Sequence, residues 1–368
     1  MPPVTTPALF GAAAVDATDD HPLVAAAQEY AERVLRPRAL ETDATEVGSE
    51  VIDDLRRLGL LNHLAPRAYG GAEADRPVDR RIHEILAGAC FNTWLVWAQH
   101  APSIARLSLW RDQNPDAEHP LVDAVLRGEL LVGAGISDVR RFPDRYLSAR
   151  RAPGGWVFNG TVSWVSGWGL NSVLLIAAVD AATEEVVLAL VPVEERTTAS
   201  PLHLGAVAGS RTERVDLASV TVRDENVLEV VPLERWRAKD VAAAADARSH
   251  HFGLAATVLA ELAAEAQPLA REVASVWAPR IADIRERAYD LIDRVDGGES
   301  IPLTDRLELK VASGHALTSL TQALVIARSG RGLAGTSTAQ LHARSALFVL
   351  VQGQTDAVRE AQLRAFAA

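Results

Sequence analysis

The feature of this chain that most limits its possible folds is a double change in hydrophobic period. From about residue 21 to 127, apolar residues recur at helical spacing, as in HPLVAAAQEYAERVLRPRALE. From about residue 130 to 233 the period changes to two, and turn-like stretches such as PGG, DAATEE and VAGSRT separate short β-rich runs. From about residue 235 onward the pattern is helical again and rich in alanine. The chain is therefore neither all-helical nor all-β.

We predict an α+β chain with an N-terminal helical domain, a middle β-sandwich or small barrel, and a C-terminal four-helix bundle. The predicted boundaries are 1–20 for a disordered lead-in, 21–128 for the N-terminal helical domain, 129–233 for the β-domain and 234–368 for the bundle. The predicted strands are LLVGAGIS, YLSARRA, GWVFNGTVSWV, SVLLIAAVD, VVLALVPV, PLHLGAV and ERVDLASVTV. The four predicted bundle helices begin near residues 241, 280, 303 and 337.

Charge and composition limit the classes of binding partner and the cellular compartment that we expect for this protein. The net charge of -11 argues against a nucleic-acid or anionic-membrane partner, because phosphate binding needs clustered Lys and Arg. The first residues lack a basic signal-peptide start, and no apolar run reaches the ~18 residues of a membrane span, so we expect a cytoplasmic protein. Cys90 is the single cysteine and lies among apolar residues, which predicts a buried, inert thiol. Histidine and carboxylate spacings typical of a metal site do not occur.

The stretch GTVSWVSGWG is unusual because indoles bracket a hydroxyl and a glycine. Trp164 and Trp168 stand on either side of Ser166 and Gly167. A flat, electron-poor ring system is held by an apolar wall and a few aimed polar groups, which this stretch could supply. The alternative is a Trp that anchors a sandwich core and a Ser in a turn.

Five segments together resemble the acyl-CoA dehydrogenase superfamily, in the order and with the helix–strand alternation of that family. They are LRRLGLLNHLAPRAYGG, GWVFNGTVSWVSGWGLNSVLLIAAV, GSRTERVDLASVTVRDENVLE, FGLAATVLAEL and LHARSALFVLVQGQTDAVRE. The resemblance implies the fold of that family and a flavin, either bound FAD or reduced flavin as a co-substrate. It implies that Trp164 and Ser166, with Gly167, contact the flavin ring. Ser137 and Gly353 are expected nearby, and Arg271 or Arg280 at the nucleotide end.

Departures from the family pattern bear on the chemistry. The family's dehydrogenases carry a carboxylate base in a Y-E-G-T motif, and here Gln352 and Gly353 fall on its E-G. An amide cannot accept a proton at neutral pH, so Gln352 is not a base. Some relatives place the Glu near the start of a bundle helix, where this chain has alanines in VAAAADARSHH, with Asp246 close by in another register.

A branch of the superfamily without the catalytic Glu uses reduced flavin and oxygen, and SWVSGWG resembles its W-x-x-S-G segment. His250 and His251 stand near the head of a bundle helix and could act as acid or base, or could be partly exposed residues without a role. His100 is expected to be a structural histidine.

Three functions remain open at this stage. The first is a flavin-dependent oxidoreductase that oxygenates or oxidises a small molecule or a carrier-bound acyl substrate, with a flavin reductase as a possible partner. The second is an acyl-thioester dehydrogenase with a displaced base, for which Asp246 or a histidine is the candidate. The third is a flavin-free enzyme or binding scaffold. The resemblance also implies a homodimer or homotetramer.

Overall fold

The computed structural model of the chain describes residues 18–367, so residues 1–17 of the predicted lead-in lie outside the described part. The N-terminal part is helical, as predicted. Its helices are α1 (Pro22–Tyr30), α2 (Arg36–Ala44), α3 (Ser49–Arg57), α4 (Arg76–Ala89), α5 (Phe91–Gln113) and α6 (Pro120–Leu126). A π-helical turn, Ala31–Leu35, joins α1 and α2. Asp75 caps α4 by accepting a hydrogen bond from the backbone N–H of Val78 at 3.0 Å.

The middle part forms one mixed sheet. Its strands are β1 (Val132–Gly135), β2 (Ser148–Ala152), β3 (Gly155–Val165), β4 (Val173–Asp180), β5 (Glu185–Pro192), β6 (Thr197–Pro201), β7 (Glu213–Arg223) and β8 (Val227–Pro232). The strand order is β6-β7-β3-β2-β4-β5-β8, and β1 pairs with β4 in parallel. Most of the other pairs are antiparallel, but β2 meets β4 in parallel at one position.

The sheet folds over itself, which explains why β4 is apolar on both faces. Val173 and Leu175 belong to a core with Ile104 and Leu107 of α5. The alternate β4 residues belong to a second core with apolar residues of β3 and β7, among them Leu174, Ile176, Phe158, Val162, Val220 and Val222. One face of β4 and β5 thus packs on the N-terminal helices and the other on the β3–β7 half of the sheet. This confirms the predicted sandwich-like middle domain.

Two strand predictions need correction. The run PLHLGAV contributes only its first residue, Pro201, to a strand, because β6 is formed by TTASP instead. Residue Val207, at the end of the run, has a φ of 51°, a left-handed conformation outside the extended region of regular strands. The strand β8, VLEVVP, was absent from the predicted set; it completes the sheet by pairing with β5.

The C-terminal part is helical, as predicted, but its helix boundaries differ. Its helices are α7 (Leu233–Ala244), α8 (Ser249–Ala264), α9 (Pro268–Asp296), α10 (Leu303–Arg328), α11 (Thr338–Val351) and α12 (Asp356–Phe366). The four longest, α8 to α11, pack on one another as a bundle. The predicted break near residue 280 is wrong, because α9 continues through the exposed Pro279. The last predicted helix is two helices, since Gly353 has a φ of 63° just after α11 ends.

Helices α4 and α8 touch backbone to backbone and so join the N-terminal helices to the bundle. A Cβ on Gly88 would lie 2.7 Å from the carbonyl oxygen of Gly253. A Cβ on Gly253 would overlap the carbonyl oxygen of Glu84. The Thr257 hydroxyl of α8 donates to the carbonyl of Gly88 at 2.7 Å. This contact fixes the first turn of α8, which carries the two candidate histidines. Within residues 18–367, no helix is long and apolar enough to cross a membrane.

Candidate functional site

A row of aromatic rings runs through the place where the sheet, the N-terminal helices and the bundle meet. We call it the aromatic row: Trp164 of β3, Phe348 of α11, Phe91 and Trp94 of α5, and His250 of α8. Successive ring centroids lie 6.4, 6.1, 4.6 and 4.3 Å apart. The row brings together Trp164 and His250, two residues that the sequence singled out in separate segments.

Trp164 is the open end of the row. It is 38% exposed, whereas the other members are buried. A half-exposed indole at the end of a strand offers one ring face for stacking. The adjacent segment is held firmly: the backbone N–H of Ser163 and its hydroxyl both donate to the Asp138 carboxylate, at 2.7 and 2.6 Å. Asp138 follows Ser137 in the 3-10 turn Ser137–Arg141, so the predicted Ser137 lies beside this anchor.

The Ser166 hydroxyl is part of a buried chain of hydroxyl groups. Ser166 Oγ lies 2.8 Å from Thr212 Oγ1, which lies 2.7 Å from Ser210 Oγ. Ser210 donates its one proton to the Val207 carbonyl, so Thr212 donates to Ser210 and Ser166 donates to Thr212. Ser166 therefore has lone pairs, but no proton, left for another group.

Gly167 is required for the turn that follows Trp164. Its φ is 76°, and a Cβ there would lie 2.8 Å from Cγ1 of Val96. Its backbone N–H donates to the Ser210 carbonyl at 2.9 Å. The tight Ser166–Gly167 turn thus packs directly on α5, which carries the centre of the aromatic row.

His250 is the buried end of the row and is held by aromatic stacking. Its ring stacks on Trp94 at 4.3 Å and 27°, and its Nε2 has no hydrogen-bond partner. Trp94 is itself oriented, because its indole N–H donates to Nδ1 of His83 at 3.0 Å. Burial, followed by the neighbouring His251 and Lys310, lowers the pKa of His250 well below its usual value. His250 is therefore a neutral imidazole with a free ring nitrogen.

His251 faces the bundle instead. Its Nδ1 lies 2.7 Å from Oγ of Ser313 on α10, and its ring centroid lies 4.6 Å from that of His250. Burial and the positive charges of Lys310 and Arg248 lower the pKa of His251 well below its usual value. The two histidines thus connect the aromatic row to a polar region on α10.

Asp246 is not a free carboxylate. Its Oδ1 accepts from Nε of the buried Arg306 at 2.7 Å and lies 2.7 Å from Nη2 of the same side chain, and its Oδ2 lies 3.4 Å from Nη2 of Arg248. Both carboxylate oxygens of Asp246 are thus engaged by arginine side chains. This pairing argues against Asp246 as a displaced catalytic base.

Gln352 and Gly353 come directly after α11, about one helical turn beyond Phe348 in the sequence. Gln352 caps the end of α11 through its N–H bond to the Phe348 carbonyl at 3.0 Å, and its buried Oε1 has no partner. Positions four apart share a helix face, so Gln352 and Phe348 lie on the same side of α11. Phe348 is the member of the row that is next to Trp164, so a position for Gln352 near the Trp164 end stays a prediction.

The remaining candidates have structural partners. Arg271 caps α8 by donating to the carbonyls of Glu265 and Ala266 at 2.8 and 2.9 Å, and Arg280 stacks on Trp277. His100 accepts from the Val132 N–H at 3.1 Å and donates to the Leu61 carbonyl at 2.6 Å. The expectation that His100 is structural agrees with these bonds.

Sequence reasoning missed three members of the row and one charged neighbour. Phe91 and Trp94 lie in a segment that is apolar on all sides, and such a helix gives no sign of which residues reach a site. Phe348 lies four residues before Gln352, a spacing that could have drawn attention to it. Lys310 is one of only two lysines in the chain, and an isolated lysine in an apolar helical segment was the available signal.

Three comparisons with known proteins bear on this site. Residues 18–117 match the family model of the acyl-CoA dehydrogenase N-terminal domain. Dibenzothiophene monooxygenases of Rhodococcus qingshengii and Rhodococcus erythropolis (strain XP) are each 28% identical over 221 residues, which is 58% of this chain and 52% of theirs. The chain thus matches about half the length of these curated relatives.

Solved structures show the same fold over nearly the whole chain. Butyryl-CoA dehydrogenase from Megasphaera elsdenii superposes with a TM-score of 0.78, at 16% identity over 96% of this chain and 99% of that one. FMN-bound TdsC from Paenibacillus sp. A11-2 superposes with a TM-score of 0.77, at 18% identity over 94% of this chain and 97% of that one. The chain therefore has the acyl-CoA dehydrogenase fold. Within residues 18–367, no group of three or more metal-ligating side chains occurs.

Proposed function

We propose that this chain, which has the acyl-CoA dehydrogenase fold, is a flavin-dependent monooxygenase that acts on a small planar molecule beside the aromatic row. The observation that carries the proposal is the row itself: it ends on the half-exposed Trp164 and contains no carboxylate. The 28% identity to dibenzothiophene monooxygenases supports this branch of the fold over the thioester dehydrogenases. A reduced flavin, FMN or FAD, would supply the two electrons that oxygen activation needs.

The residues present fit a reduced flavin ring. Trp164 offers the stacking face. Ser166 and Gln352 Oε1 offer lone pairs, since the Ser166 proton is committed to Thr212 and the Gln352 oxygen has no partner. A reduced flavin carries an N5–H donor that the oxidised ring lacks, so acceptor groups favour the reduced form. This supports reduced flavin as a co-substrate, and a separate flavin reductase as its source.

The proton chemistry of the site suits oxygenation better than α-proton removal. Gln352 cannot accept a proton at neutral pH, and Asp246 is paired with Arg306. His250 is a neutral imidazole whose buried Nε2 has no partner, so it offers a hydrogen bond next to the substrate and not a carboxylate base. Acyl-thioester dehydrogenation would need a carboxylate that neither candidate position supplies.

The chain's partners and compartment follow from the same proposal. Large apolar side chains are exposed along the last helices and the turn after α10, which supports a homodimer or homotetramer formed by the bundle; they are Ile326, Leu333, Leu347, Val351, Leu363 and Phe366. We place the protein in the cytoplasm, where reduced flavin and its reductase occur together.

The test is Trp164→Ala, with Trp164→Phe as the conservative variant. We expect the alanine variant to bind reduced FMN or FAD about tenfold or more weakly, because the stacking face is lost, and the phenylalanine variant to keep most of the affinity. Anaerobic fluorescence titration measures this. The control is Trp236→Ala on α7, which removes a partly buried indole from the middle core and leaves the site intact.

Activity separates the remaining possibilities. Oxygen uptake with a flavin reductase and a planar aromatic substrate supports the proposal. Bleaching of bound flavin by an acyl-CoA under anaerobic conditions would instead support the dehydrogenase. If the wild-type protein binds neither oxidised nor reduced flavin, the third function, a flavin-free enzyme or binding scaffold, is the one that remains.

A further inference from the structure

A group of charged side chains lies between the residues that lead into α8 and the first turns of α10. We call it the α8–α10 charge cluster; it consists of Asp246, Arg248, Arg306 and Lys310. Asp246, Arg306 and Lys310 are buried, whereas the Arg248 side chain is half-exposed. The cluster adjoins the inner end of the aromatic row through His251: Nδ1 of His251 lies 2.7 Å from Oγ of Ser313, and the Ser313 hydroxyl donates to the Lys310 carbonyl at 2.9 Å. The His251 ring centroid in turn lies 4.6 Å from that of His250.

Lys310 has no counter-ion. Its side chain is only 6% exposed, and its Nζ makes one hydrogen bond, a 3.3 Å contact to the backbone carbonyl of Asp246. Within residues 18–367, no carboxylate lies within ion-pair distance of this ammonium group, which has three protons to donate. A buried charge without a partner is costly, and such groups in proteins are usually paired.

The cluster as a whole lacks negative charge. Asp246 is its carboxylate, and that carboxylate is taken up by Arg306 and Arg248. Three cations therefore face one anion. The nearby Arg140 and Asp240 neutralise each other in a two-bond pair at 2.6 and 2.8 Å and do not change this balance. The next group toward the row, His250, is buried with an unpartnered Nε2.

We propose that Lys310, together with His250, binds an anionic oxygen group of the substrate, a carboxylate or a phenolate attached to a planar aromatic ring. This inference deepens the proposed function, since it names the chemical class of substrate for the same site. The ring would stack along the aromatic row, and its anionic group would reach Lys310 and supply the missing negative charge. Burial lowers the pKa of Lys310 to about 8, and a bound anion is expected to raise it.

The two-lysine composition gives a direct test. The chain is labelled with 13Cε-lysine, so that only Lys239 and Lys310 are observed by NMR, and Lys239→Met assigns the two signals. Lys239 is exposed on α7 and serves as the internal control. Flavin-free protein is titrated with benzoate, and in parallel with the neutral analogue benzamide. We expect benzoate to shift the Lys310 signal saturably and to raise its titration midpoint, and benzamide to leave both unchanged.

Variants extend the test to affinity. Lys310→Met is expected to weaken benzoate binding about tenfold or more, as for loss of a charge-assisted hydrogen bond, with benzamide affinity unchanged. Lys310→Arg keeps the charge and should keep part of the affinity. Lys239→Met should bind benzoate as the wild type does.

Three results would overturn the inference. Equal Lys310 shifts with benzoate and benzamide, or none with benzoate, would show that the lysine does not bind the anion. A shift caused by reduced riboflavin alone would show that the anion is the flavin. The wild-type titration remains decisive if Lys310→Met fails to fold. Because no flavin is needed, failed flavin binding at Trp164 with retained benzoate binding would refute the proposed function and leave this inference standing.

Discussion

Replacing Gly253 by alanine is expected to destabilise the protein by about 2–5 kcal/mol and to displace His250. A Cβ at Gly253 would overlap the backbone carbonyl of Glu84 on α4, and backbone cannot move aside as a side chain can. The better helix propensity of alanine, about 1 kcal/mol, offsets only part of this cost. Urea unfolding measures the loss.

The matched control for this prediction is Gly314→Ala on α10. A Cβ there would lie 3.1 Å from Cδ2 of Leu350, a side chain that can rotate away. This variant should change the free energy of unfolding by less than about 1 kcal/mol. A Gly253→Ala protein as stable as the wild type would show that α4 and α8 are not packed as described.

The protein is also expected to lose stability steeply below pH 6.5. Burial lowers the pKa of His83 and His100, the latter to about 4, and lowers those of His250 and His251 well below the usual range. As the pH falls through 6.5, the unfolded chain binds protons that the folded protein excludes, so the folded state is disfavoured. His100 alone should cost about 2 kcal/mol at pH 5, and the other three act in the same direction.

The measurement is the urea-unfolding free energy from pH 7.5 to 4.5. We expect it to fall with a slope that approaches several protons per molecule, and His100→Gln to reduce that slope by about one proton. Replacement of the exposed His203 by asparagine is the control for loss of a histidine as such. A stability that stays level from pH 7 to pH 5 would show that these histidines are not held neutral in the folded protein.

Much of the architecture could be predicted because the spacing of apolar residues along the sequence indicates the type of each element. Short apolar runs marked β4 and β5, apolar–polar alternation marked parts of β3 and β7, and helical spacing marked the segments on either side of them. The errors arose where local signals were weak: β8 is a short strand that depends on its partner β5, and α9 passes Pro279 because that residue faces solvent. The resemblance to the acyl-CoA dehydrogenase superfamily gave the correct fold, which a solved structure matches over 96% of the chain.

The candidate site was predicted less completely. Trp164, Ser166 and Gln352 could be proposed from the sequence because they lie in recognisable segments, and the structure places Trp164 at the outer end of the row. The direction of the Ser166 proton depends on Thr212 and Ser210, 46 and 44 residues further along the chain, and no local pattern reports it.

By itself, the sequence determined the types of the elements, their order and the absence of a carboxylate at Gln352, since each is a property of neighbouring residues. Only the tertiary structure decided which residues meet. It pairs Asp246 with Arg306 across 60 positions, places Phe348 between Trp164 and Phe91, and leaves Lys310 without a counter-ion. The physical reason is that hydrophobic period sets which face of an element is buried, whereas the partner of that face depends on packing between distant segments.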